Sequence, residues 1–245
     1  MNRPTCSILL LTFVALCIAV TAPARPLDTD DTGTVARGTW EVEGGVDFVR
    51  AGGVEAWAIT PVLAYGVNDR LQVDIGCDYL VELGVAGAPD VRSLKPALQF
   101  KQQGWASADG RLSFALKGNL GWPKQQSGPR ADMERHGHLR LLATRMFDAI
   151  VLDFNAGYDF TGAWGGGDDA WIASAGFRRS VTASLDWVGE VFGTFPERGG
   201  DIHGMIATGM KREGVGGWTL DALVGVGVGR DSPDLRLVLG FVRAL

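Results

Sequence analysis

The sequence predicts an all-β protein, a single antiparallel, up-and-down transmembrane β-barrel of about twelve strands. Apolar and polar residues alternate with period two in long runs from residue 38 to the C-terminus. The chain has 35 glycines, 8 tryptophans and 11 phenylalanines, a composition that favours strands and tight turns over helices. Beyond the first two dozen residues, no apolar stretch is long enough to span a bilayer as a helix, so crossing a membrane requires a closed barrel.

The first 24 residues have the composition of a signal peptide. Arg3 provides a basic start, and the apolar run at residues 8–20 is too short for a membrane-spanning helix. Ala22 and Ala24 form an Ala-x-Ala pattern, so we expect cleavage after Ala24 and export to the bacterial outer membrane. The alternatives are an uncleaved anchor, or a lipoprotein modified at Cys17, where Leu16 stands in place of the expected small residue.

Twelve alternating segments follow the lead-in. Residues 71–83 alternate apolar side chains with Gln, Asp, Gly and Glu, which gives the strand one apolar face and one polar face. Runs of this length exceed ordinary soluble strands and suit transmembrane strands of about 9–11 residues. We expect strands at residues 38–50, 54–66, 71–83, 92–103, 111–122, 135–147, 149–161, 169–179, 183–195, 202–212, 217–229 and 235–245.

Connection lengths and aromatic positions agree with this arrangement. An even strand count places both termini at the periplasmic side, so the long connections at 84–91, 123–134 and 162–168 would face outward. The tryptophans at strand ends match the interfacial belts of such barrels. These tryptophans are Trp40 and Trp218 at the periplasmic end and Trp122 and Trp171 at the outer end.

The last predicted strand ends in a pattern that barrel-assembly machinery reads. Leu237, Leu239, Phe241 and Leu245 alternate to the end of the chain, although an aromatic final residue is more usual. Arg243 interrupts this apolar face near the periplasmic interface, where a basic residue costs only about 0–1 kcal/mol. The expected partners are therefore outer-membrane lipid, the assembly machinery and a small-molecule solute.

Charge and cysteine content exclude other classes. The formal net charge is -5, which argues against nucleic acid as a partner. Cys77 is the one cysteine after the signal peptide, so an internal disulfide and a cysteine metal site are excluded. We expect no cofactor.

The start of the mature chain resembles a known bacterial family. Residues 25–33 read Arg-Pro-Leu-Asp-Thr-Asp-Asp-Thr-Gly and precede a strand containing Glu41 and Glu43. This opening is similar to that of the MetA-pathway phenol-degradation family, as are residues 71–76 and the closing pair Gly240 and Phe241. The resemblance implies an outer-membrane transporter-like barrel that takes up aromatic compounds.

The acidic lead-in at residues 25–37 has two interpretations. Asp28, Asp30 and Asp31 could offer oxygen ligands to a hard cation such as calcium. The favoured interpretation is a solvated periplasmic lead-in to a barrel at residues 38–245, because a calcium site needs six to eight ligands.

The polar faces of the predicted strands separate by charge. Strands one to three would form an acidic lumen wall, and strands four to six a basic one. The acidic wall comprises Glu41, Glu43, Asp47, Glu55, Asp74, Asp78 and Glu82, and the basic wall Lys95, Lys101, Lys117, His136, His138 and Arg140. A twelve-stranded barrel is narrow, so such walls could either border a selective path or plug it.

Three functions are compatible with this pattern. The first is a channel that passes a small organic, possibly aromatic, solute by diffusion. The second is a structural or adhesive barrel without transport. The third is an outer-membrane hydrolase, with His136 and His138 near Ser127, Asp132 and Glu134. The chain has no Gly-x-Ser-x-Gly elbow, and we expect that it is not an enzyme.

Overall fold

The computed structural model describes residues 29–83, 91–122, 125–127, 136–160, 169–199, 202–229 and 232–245. All strand pairings are antiparallel within one sheet, and the pairing of the first strand with the last closes this sheet into a barrel. The strands are β1 (Trp40–Ala51), β2 (Val54–Ile59), β3 (Val62–Asn68), β4 (Leu71–Leu83), β5 (Val91–Ala106), β6 (Leu112–Gly121), β7 (Gln125–Ser127), β8 (His136–Met146), β9 (Ile150–Asp159), β10 (Ala170–Thr182), β11 (Leu185–Pro196), β12 (His203–Val215), β13 (Trp218–Val228) and β14 (Leu235–Ala244).

These fourteen segments form twelve barrel strands. β2 and β3 both pair with β1 and β4 and are separated by Thr60 and Pro61, where the proline lacks the N–H of a regular ladder. β7 continues β6, since both pair with β5. The predicted fold class is therefore confirmed, and the other strand ends lie within about three residues of the predicted ends. The signal peptide and the connections at 84–90, 128–135 and 161–168 lie outside the described residues.

The barrel has its apolar face outside. Ile75, Leu141 and Leu239 are 64%, 67% and 62% exposed on the outer face. Asp74 and Leu142, one position away on two of the same strands, are 3% and 1% exposed on the inner face. An outer surface of this kind suits hydrocarbon rather than water. No helix among the described residues is long and apolar enough to cross a membrane.

Both termini of the barrel lie at one end, here called the terminal end, where β1 begins and β14 finishes. The turns 69–70, 147–149, 183–184 and 216–217 are also at this end. Trp218 lies there as expected, and the Arg243 guanidinium stacks 4.9 Å from the centre of its ring. The outer-face arginine is therefore covered by an aromatic side chain and is itself buried.

Part of the barrel interior is apolar. Val188, Ala207, Leu223 and Val238 come from four successive strands, β11 to β14, and form one buried cluster, here called the apolar wall. The interior face of β4 to β9 is rich in buried polar side chains, including Gln72, Lys101, Thr144 and Asn155, and the segment before β1 binds to them.

Candidate functional site

The chain segment before β1 runs inside the barrel. This segment, residues 29–39, is here called the leader. At the terminal end Gly38 N donates to Gly66 O at 2.7 Å, and Gly66 N donates to Thr39 O at 3.1 Å. A Cβ at Gly66 would collide with the carbonyl oxygen of Ala36, so glycine allows the leader to pass this closely over β3.

Beyond this bridge to β3, the leader backbone at residues 29–35 is hydrogen-bonded to lumen side chains. Four of its N–H groups donate to side-chain oxygens on four different strands, so the leader crosses the lumen from β4 to β11. The bonds join Val35 to Gln72 Oε1 (2.9 Å), Thr32 to Thr144 Oγ1 (3.0 Å), Asp30 to Asn155 Oδ1 (2.7 Å) and Thr29 to Glu190 Oε2 (3.0 Å).

Two further contacts complete this attachment. Asn155 Nδ2 donates to the Asp30 carbonyl oxygen at 2.8 Å, so one amide side chain satisfies both backbone groups of Asp30. The hydroxyls of Thr32 and Ser113 are also hydrogen-bonded. The polar part of the lumen thus uses the leader as its packing partner.

The leader also supplies the counter-charge for two lumen lysines. Lys101 Nζ lies 3.0 Å from Asp30 Oδ1, and Lys117 Nζ lies 2.6 Å from Asp30 Oδ2. Lys101 additionally lies 3.7 Å from Asp31 Oδ1. Lys101 is 0% and Asp30 7% exposed, and charges buried to this degree are tolerated only when paired.

The interpretation of the leader as a solvated periplasmic segment is therefore wrong for residues 29–35. Asp30 is buried because it pairs with lumen lysines. Asp28, the remaining member of the suggested calcium set, lies outside the described residues. Within the described part of the chain, no group of three or more His, Cys, Asp and Glu residues could hold a metal ion.

A cavity of about 320 Å³ opens at the other end of the lumen, here called the distal vestibule. Its charged pair is Asp47 and Arg236, whose Oδ2 and Nη2 atoms are 2.6 Å apart. Its remaining lining combines an imidazole with apolar side chains. These include Val49, Phe192, His203 and Met205.

Most of the predicted acidic wall faces the lumen, with one error. Glu41 and Asp74 are buried, Glu43 and Asp47 lie on the same inner face, and Asp78 pairs in register with Lys95. Glu55 was wrongly assigned. It pairs with Arg50, two residues from the Phe48–Trp57 pair, and so shares the outer face with Trp57. The Glu82 side chain lies outside the described ones.

The predicted basic wall also reaches the lumen where its side chains are described. Lys101, Lys117 and Arg140 occupy successive positions across β5, β6 and β8 in one register. His138 Nδ1 lies 3.9 Å from Asp159 Oδ1. The backbone of His136 pairs with Gly121, but its side chain is outside the described set.

The two predicted walls omit charges on the remaining strands. Asp153, Glu190, Lys211 and Asp221 are all at most 8% exposed and face inward from β9, β11, β12 and β13. The same period-two alternation that identified the first six strands could have identified these residues. The lumen therefore holds both charge signs around its circumference, rather than one acidic and one basic half.

The chain is similar in fold to solved outer-membrane proteins. The COG4313 outer membrane channel from Pseudomonas putida F1 matches with a TM-score of 0.69 at 13% identity, covering 89% of this chain and all of that one. The CymD monoaromatic hydrocarbon channel matches with a TM-score of 0.52 at 10% identity, over 85% and 89%. The β domain of the Bordetella autotransporter BrkA matches with a TM-score of 0.56 at 15% identity, over 85% and 100%.

These likenesses show that the chain has the fold of outer-membrane β-barrels. No family model and no curated sequence matches the chain. At 10–15% identity the likeness establishes the fold and not the solute.

Proposed function

We propose that the protein is an outer-membrane channel that passes a small organic solute, including an aromatic one, by diffusion through a charged lumen. The observation that carries the proposal is a closed barrel with an apolar outside and an interior vestibule lined by both charged and apolar side chains. Such a lining offers contacts to a solute with a polar group and an apolar body.

The two channels among the similar structures support this proposal over a hydrolase. The COG4313 protein and CymD are both named as channels, and the resemblance of the leader region to the MetA-pathway family points to the same role. His138 faces an aspartate at 3.9 Å, while Asp132 and Glu134 lie outside the described residues. Export to the outer membrane, with a signal peptide ending at Ala24, forms part of this proposal.

A structural barrel is the second candidate, and the leader favours it. The leader occupies lumen space between β4 and β11, which reduces the cross-section for a solute. In the channel proposal the leader narrows the path at the terminal end and leaves the distal vestibule accessible.

Conductance in planar bilayers tests the proposal with the mature, folded chain. We expect small ion-conducting steps, because charged lumen residues hold water in the path. Lys117→Glu should shift the reversal potential in a salt gradient towards cation selectivity, since it reverses a charge that faces the lumen. Arg111→Glu is the matched control, because Arg111 is 56% exposed in a connection at the terminal end.

Absence of conductance from protein that is shown to be folded would favour the structural barrel. An equal shift with both variants would place the selectivity at the barrel mouth and not in the lumen. Esterase activity that disappears with His138→Ala would instead support the hydrolase.

A further inference from the structure

One lumen site already holds a carboxylate. The two oxygens of Asp30 are bound separately, one by Lys101 at 3.0 Å and the other by Lys117 at 2.6 Å. Lys101 and Lys117 are register partners on the adjacent strands β5 and β6. The two ammonium groups therefore form a fork that receives both oxygens of one carboxylate.

The barrel wall builds this fork, whereas its occupant belongs to a separate segment. The strand of Lys101 is paired along both edges, so the barrel wall fixes the backbone position from which this side chain enters the lumen. Arg140 extends the same positive register on β8. The leader, in contrast, has one isolated backbone bridge to the wall, between Arg37 and Gly66, and is otherwise held in the lumen by side-chain contacts.

We propose that Lys101 and Lys117 form a solute-carboxylate site of this channel, which Asp30 fills until an organic anion displaces it. The inference rests on the proposed channel function and names the solute class, small organic carboxylates. Phe192 and Met205 line the distal vestibule, apart from the fork, and offer apolar contacts to such an anion on its way through the lumen.

Charge balance explains why the site would select carboxylates over neutral solutes. If the leader moves away, the buried Lys101 ammonium loses Asp30 and Asp31 together. A carboxylate solute replaces this counter-charge, whereas an alcohol leaves the lysines uncompensated, which is strongly unfavourable in a buried position. A solute carboxylate in place of Asp30 restores the charge-assisted hydrogen bonds of both lysines to one carboxylate, while the contacts of Lys101 with Asp31 are given up.

Binding to the full mature chain in detergent tests the site directly, with benzoate as the probe and benzyl alcohol as its neutral counterpart. Asp30→Asn removes the charge of the internal competitor, so isothermal titration should give at least about tenfold tighter benzoate binding than in the unmodified protein. Adding Lys101→Met to Asp30→Asn should weaken that binding by about ten- to a hundredfold. Asp47→Asn, which breaks an ion pair elsewhere in the lumen, is the matched control and should not strengthen benzoate binding at the fork.

A second measurement avoids any change at the fork. A spin label at Thr34→Cys, in a Cys77→Ser background, should become more mobile when benzoate or acetate is added, and should not respond to benzyl alcohol. Mobility that is unchanged by either carboxylate, or benzoate affinity that is equal with and without Lys101, would overturn the site. Benzoate binding without conductance would refute the channel and keep the site, while conductance without carboxylate binding would do the reverse.

Discussion

The two sides of the lumen are filled in different ways. On the apolar wall, Val188, Ala207, Leu223 and Val238 pack against one another across β11 to β14. On the leader side, small polar residues such as Ser113 and Thr144 leave space that the leader occupies. The first filling is part of the barrel, whereas the second belongs to a segment that could leave without unpairing a strand. The apolar wall is therefore fixed by the barrel itself, whereas the leader is held mainly by side-chain hydrogen bonds that can break while every strand pairing is kept.

The largest expected effect is on global stability and comes from a substitution in the apolar wall. Leu223→Ala should lower the free energy of unfolding by about 2–5 kcal/mol, because it removes a buried side chain that bridges two neighbouring strands of the cluster. Tryptophan fluorescence during guanidinium unfolding in detergent measures this loss. Hydrogen exchange of leader amides should change little, since the leader does not form part of the cluster. Equal loosening of the leader would mean that the two sides fold as one unit.

The next effect loosens the leader alone. Asn155→Ala removes both hydrogen bonds to the backbone of Asp30. The free energy needed to detach the leader should therefore fall by about 1–3 kcal/mol, and the leader should detach more often. Hydrogen exchange at residues 29–35 should accelerate, while the global unfolding midpoint should stay nearly constant. Asn119→Ala, at an inward position opposite His138, is the control. A large drop in global stability would show that the leader is an integral part of the barrel core.

The sequence alone could reveal the barrel, but not the division of its lumen into an apolar wall and a side filled by the leader. Strand face is a local property, because a residue shares its face with those two positions away, and this rule located all twelve strands. The same rule, applied more carefully, would have placed Glu55 outside with Trp57. The leader contacts are not local: Thr29 meets Glu190 and Val35 meets Gln72, 161 and 37 positions apart. The local sequence around Asp30 and Asp31 does not indicate which lumen lysines these residues pair with.

The smallest expected effect comes from the loss of a single neutral hydrogen bond between the leader and the barrel wall. Ser113→Ala removes one neutral hydrogen bond to the Thr32 hydroxyl, so leader detachment should become easier by only about 0.5–1.5 kcal/mol. Hydrogen exchange at Thr32 should therefore accelerate less than in Asn155→Ala. Because Ser113 and Asn155 touch the leader from β6 and β9, their effects should add if the leader leaves as a whole. A double variant no faster than Asn155→Ala alone would instead indicate that the leader peels away from β9 first, with its contact to β6 opening independently.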